Sequence, residues 1–287
     1  MKRDGRIETG ALTALTSVLM LFGAGCAAGP APQVSSPAAD GTPATPSRPP
    51  SYKPSMPGFT VKAPNGLPVN KCVPKELRAG TVSLRTSDGV PLSAIAMGGG
   101  PNGVVLSHEQ GYNVCSWLAL GKTLADGGYN VVVVEYRNHG ASGRSRDNDH
   151  LDRDAKAAIA EVTRRGATRI VLGGASCGGT ASIVAGRKLP TLAGLIVMSS
   201  PRVCGSKLNG LRDVKQIRQP SFFAFSPGDH GDPGFEPEVR GLFKASGAAD
   251  KHLEIPPGGA HGTDMLREKD GAGLTAKLVA FVKRAFA

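Results

Sequence analysis

The sequence predicts an α/β fold, a mostly parallel sheet with helices on both faces, entered through an N-terminal β-hairpin. Three observations carry this. Short unbroken apolar runs recur at 103–106, 130–134, 169–172, 195–198, 222–225 and 252–255. Helical stretches lie between them at 115–125, 151–165, 178–188, 237–245 and 273–286. Apolar strands of that length alternating with helices signify a parallel sheet buried on both faces. Ahead of them, residues 81–86 and 90–96 alternate in polarity around Ser87-Asp88-Gly89. That is the pattern of a hairpin with an Asp-Gly turn.

Composition bounds the rest. The 287 residues are 40% hydrophobic and 20% charged, as in an ordinary globular protein with ample material for a core. The net charge of +11 favours anionic surroundings, yet the basic residues are scattered and not interleaved with aromatics, so nucleic acid is not an expected partner. Residues 1–26 read as an export signal: a basic start, an apolar run at 11–22 too short to span a bilayer, then small residues leading to Cys26. This segment resembles a bacterial lipoprotein signal, with Cys26 lipidated and membrane-anchored; plain secretion is the alternative. Residues 27–71 shift towards Pro, Ala, Ser and Thr and read as an extended tether, leaving 72–287 as the folded domain. In an oxidising compartment Cys72, Cys115, Cys177 and Cys204 imply up to two disulfides, with three possible connectivities.

The chemistry centres on Gly174-Ala175-Ser176-Cys177-Gly178. An apolar run leads in and a helical stretch leads out, the setting in which G-x-S-x-G acts as a nucleophile elbow. The competing reading is a tight turn with a helix-capping serine. In open α/β sheets ligands bind at the carboxyl ends of the strands, so the residues after each run decide between the two. They include Ser107-His108-Glu109-Gln110, Arg137-Asn138-His139-Gly140, Gly228-Asp229-His230 and Ala260-His261-Gly262. A serine, an aspartate and a histidine thus share one rim, in that chain order.

With these motifs the stretch from Cys72 to the C-terminus resembles the α/β-hydrolases. The resemblance implies Ser176 as nucleophile, His261 as general base and Asp229 as the carboxylate that orients it, with Asp232 as competitor for the last role. It also implies an oxyanion hole from the backbone N–H of Cys177 and one from the loop after 103–106, Gln110 ahead of Glu109. Relatives usually carry His-Gly where this chain has His108-Glu109. A one-residue register shift would make Cys177 the nucleophile, as in some dienelactone-hydrolase-like relatives. His139 and His230 read as structural or rim residues. No metal-ligand spacing is present in sequence and no cofactor is implied. Only 201–219 separates the strands where many relatives insert a lid, so no sizeable lid is expected. The reaction implied is cleavage of a small-molecule or lipid ester through an acyl-serine. Peptidase or acyltransferase chemistry on the same triad, or a non-catalytic surface-binding protein, are the alternatives.

Overall fold

The computed structural model describes residues 55–231 and 234–287. Its strands and helices in chain order are β1 (Thr60–Lys62), β2 (Pro68–Asn70), β3 (Thr81–Arg85), β4 (Pro91–Met97), β5 (Asn102–Ser107), α1 (Leu118–Asp126), β6 (Asn130–Val134), α2 (Leu151–Arg164) and β7 (Arg169–Ala175). There follow α3 (Cys177–Gly186), β8 (Leu192–Met198), β9 (Val203–Cys204), β10 (Leu208–Asn209), α4 (Gly210–Asp213), β11 (Ser221–Ala224), α5 (Glu236–Ala245), β12 (Lys251–Glu254) and α6 (Gly271–Phe286). The eight-stranded sheet runs β12-β11-β8-β7-β5-β6-β4-β3. Strand β4 is antiparallel to both β3 and β6, and the pairs from β6 to β12 are parallel.

Alternate residues of each strand serve opposite faces, as the pleat requires. Val105, Val132, Leu172 and Val197 pack with α2, α3 and α5, whereas Val104, Val133, Val171 and Ile196 pack with α1 and α6. All ten residues of α3 are buried, which explains its apolar character all round. From β5 the chain goes to β6 on one side and returns to β7 on the other. The crevice between the ends of β5 and β7 is therefore the topological switch point, where ligands of such sheets bind.

The folded region begins earlier than the composition suggested. Residues 55–71, expected in the tether, form the antiparallel pair β1–β2 and bury Val69 fully. Strands of three residues interrupted by proline and glycine are too short for periodicity to reveal. Asn70 settles the attachment by donating to the buried Glu135 carboxylate at 2.8 Å. The export signal, Cys26 and residues 27–54 lie outside the described residues. Among the described residues no helix is long and apolar enough to cross a membrane.

The single tryptophan fixes the loop that leaves β5. Trp117 is fully buried, and its Nε1–H donates to the Ser107 carbonyl at 2.9 Å. Trp117→Ala is expected to cost about 3–5 kcal/mol through the cavity and the unpaired carbonyl. Thermal unfolding should show a Tm drop of roughly 10 °C; a drop below about 3 °C would mean that the site collapses around the missing ring.

Candidate active site

Ser176 stands alone between β7 and α3 with φ 50° and ψ −129°. A non-glycine residue in that region costs on the order of 1–3 kcal/mol, and here the turn is held on both sides. The Ser176 N–H donates to Met198 O at 2.8 Å. A Cβ on Gly174 would lie 2.3 Å from the Gly178 carbonyl oxygen, and one on Gly178 would lie 2.4 Å from Ser107 O. The motif's glycines are thus required by backbone packed on backbone. Cys177 opens α3 and is bonded to Cys204 of β9, so a disulfide braces the elbow. The second bridge joins Cys72 and Cys115. A disulfide-bonded Cys177 has no thiol to attack with, which removes it as the nucleophile.

His261 follows β12, and its Nδ1–H donates to Asp229 Oδ1 at 2.8 Å. A carboxylate on Nδ1 selects the tautomer whose Nε2 is free to accept a proton. Asp229 is fully buried. Burial opposes its ionisation, but hydrogen bonding from His261 and His230 holds the carboxyl below its ordinary value. Asp229 is therefore the aspartate that meets His261; Asp232 lies outside the described residues. The next residue, Gly262, lies against the elbow: a Cβ there would sit 3.2 Å from Ala175 Cβ. Among the described residues, Ser176 Oγ and His261 share no hydrogen bond, and without substrate such contacts are commonly loose.

The loop after β5 is held from three sides. His108 is fully buried, its Nδ1–H donating to Glu109 O at 2.7 Å and its Nε2 accepting the Tyr136 N–H at 3.0 Å. Burial pulls its pKa down to about 3, so the ring is a neutral brace between the ends of β5 and β6. His139 works likewise, donating to Arg137 O at 2.8 Å and accepting the Gly111 N–H at 3.4 Å. Glu109 Oε1 accepts the Thr263 N–H at 3.0 Å, and the Thr263 hydroxyl as well. Tyr112 donates to Asp264, which pushes the phenol up to about 12. The loops bearing Gln110 and His261 are thereby tied together. Gln110 Oε1 lies 3.8 Å from Cys177 Sγ, so this residue sits beside the elbow. A cavity of about 130 Å³ adjoins, lined by Gln110, His139, Leu151, Cys204 and Leu208 among others.

A family model described as the alpha/beta hydrolase family matches residues 104–280. The chain belongs to the alpha/beta hydrolase family. The fold is similar to that of an esterase from Pyrococcus furiosus, at 20% identity and TM-score 0.64 over 78% of this chain and 99% of that one. It is similar also to a thermophilic esterase from Thermogutta terrifontis, at 15% identity and TM-score 0.59 over 72% and 99%. A predicted hydrolase from Thermoplasma acidophilum aligns at 24% identity and TM-score 0.53 over 71% and 97%. A comparison with curated proteins by sequence gives no match.

Within this alpha/beta hydrolase the segment 201–219, where a lid was not expected, forms the β9–β10 hairpin and the short α4. Sequence reasoning missed Glu109 as the tie to Thr263, 154 positions away, and no local pattern could have shown it. It also missed what holds the loop after β6. Arg137 is buried and donates to Asp154 Oδ1 at 2.7 Å and to Asp88 Oδ2 at 2.8 Å. Arg137 beside Asp88 holds that carboxyl well below the usual carboxylate range. A lowered folded-state value means fewer protons bound folded than unfolded. The stabilisation is thus complete above the ordinary value of 3.8 and is lost as pH falls below it. Urea denaturation should show the gap between wild type and Asp88→Asn narrowing from about pH 6 to about pH 3. A gap constant across that range would count against the pairing.

Proposed function

We propose that this hydrolase cleaves carboxylic esters through an acyl-Ser176 intermediate. The observation that carries the reading is Ser176 in a strained elbow at the switch point, with the Asp229–His261 pair on the adjoining loop. Ser176 Oγ attacks the ester carbonyl while His261 Nε2 takes its proton. The imidazolium, steadied by Asp229, then gives that proton to the departing alcohol. Water enters by the same route, with His261 again as base, and releases the acid. The N–H groups of Gln110 and Cys177 stabilise the oxyanion; one such donor is typically worth about 3–4 kcal/mol. Among the described residues the Gln110 N–H has no acceptor, as an oxyanion donor requires.

Pockets for drug-sized ligands span roughly 300–1,000 Å³. The cavity of about 130 Å³ is lined by Gln110 and by Cys204, the disulfide partner of Cys177, and not by Ser176 itself; at that size it would take a short acyl or alcohol group. The two disulfides fit the proposed export to an oxidising compartment. Anchoring there is through a lipid on Cys26.

Labelling of the purified protein with a fluorophosphonate tests the nucleophile, with the modified peptide mapped. Label on Ser176, absent from Ser176→Ala, is expected. A folded wild type that takes no label would favour the surface-binding alternative.

A further inference from the structure

His230 has no part in the proposed reaction, yet its ring meets the same oxygen as the base. His230 Nδ1 and His261 Nδ1 each lie 2.8 Å from Asp229 Oδ1. The two rings stand edge to face with centroids 4.6 Å apart. One ligand atom from each of Asp229, His230 and His261 lies within 4.8 Å of the other two. Two imidazoles and one carboxylate oxygen make the donor set of a three-residue zinc site, with a fourth position left for water. In a tetrahedral site with bonds of about 2.0–2.1 Å the ligand atoms stand roughly 3.3 Å apart; the two 2.8 Å separations from Asp229 Oδ1 would widen by about 0.5 Å to reach it, and the two ring nitrogens already lie within 4.8 Å of one another. Solvent reaches it from one side: the His230 side chain is 62% exposed, that of His261 is 16% exposed and that of Asp229 is buried.

We infer that Asp229, His230 and His261 form an inhibitory site for a divalent transition metal of the zinc type. The inhibitory half rests on the reading of His261 as general base; the binding half does not. A cation bound at both Nδ1 atoms replaces the two N–H hydrogens that now point at Asp229. Each neutral ring regains its proton on Nε2 by exchange with water, so no electron moves and no net proton is released. The nitrogen of His261 that must receive the Ser176 proton is then already protonated, and the oriented base is lost. Binding and catalysis thus compete for one tautomer. The ligands come from two loops more than thirty positions apart, which is why local spacing in the sequence shows nothing.

The test uses the whole purified protein, stripped of metal, with p-nitrophenyl acetate as substrate and zinc chloride as probe. Hydrolysis by wild type should fall as zinc is added and recover on addition of EDTA, whereas calcium, which prefers several oxygen ligands, should leave it unchanged. In His230→Ala and His230→Gln, with rates taken relative to each variant's own zinc-free rate, half-inhibition should need at least about tenfold more zinc, as loss of a metal-site residue predicts. Calorimetry on Ser176→Ala should show one zinc bound per chain, and the double variant with His230→Ala should lose it. Equal zinc sensitivity in wild type and both His230 variants, or no zinc bound by the Ser176→Ala protein, overturns the site. Zinc binding by a wild type that hydrolyses no ester would leave the site standing and remove the triad reading instead.

Discussion

Ser176→Ala is expected to lower the turnover of an activated ester roughly a million-fold, to the residual catalysis of binding and the oxyanion donors. The loss should come without unfolding. Serine and alanine both carry a Cβ, so the backbone at φ 50° is no more strained in the variant. Ser176 Oγ also makes no hydrogen bond among the described residues that the change would break. Steady-state kinetics beside a thermal melt checks both halves. A variant within about tenfold of wild type would mean that another group attacks, since a nucleophile cannot be dispensed with so cheaply.

Asp229→Asn is the second large effect, about ten-thousand-fold in kcat. An amide in place of the carboxylate offers an N–H to His261 Nδ1, which then becomes an acceptor and leaves the proton on Nε2. The nitrogen facing Ser176 can no longer act as base. Asp232→Asn should stay within a few-fold of wild type, and the reverse ranking would move the orienting role to Asp232. Because Asp229 is buried and bonded to two rings, its variant should be melted alongside to separate lost activity from lost structure.

Much of this site was legible in the sequence because strand ends are. The apolar runs stop abruptly, and whatever polar residue follows a run in a parallel sheet arrives at the common rim; Ser176, Asp229 and His261 were readable for that reason. The glycines of the elbow were readable too, and the structure shows the contacts that exclude a side chain. What stayed hidden depends on contacts between distant loops. Glu109 looked like a misfit where relatives carry glycine, and its role emerges only where Thr263 arrives beside it. The pairing of four cysteines had three solutions, and spacing could not choose among them. Strands β1 and β2 were lost in a composition that reads as linker, because three residues carry no period. Asp88 read as a turn residue, and nothing local shows that it reaches Arg137.

The two disulfides join Cys72 to Cys115 and Cys177 to Cys204, so each bridge links cysteines consecutive in the chain. The order in which thiols leave a ribosome or a translocation pore is therefore the order of native pairing. Cys115 finds Cys72 already waiting before Cys177 has emerged, and Cys204 then finds Cys177 with both earlier thiols consumed. With Cys26 taken out of the pool by the proposed lipid, an oxidant that joins the remaining four thiols in order of appearance makes the native set at the first attempt. Among the three pairings open to these four thiols, the native one is thus the one that calls for no reshuffling.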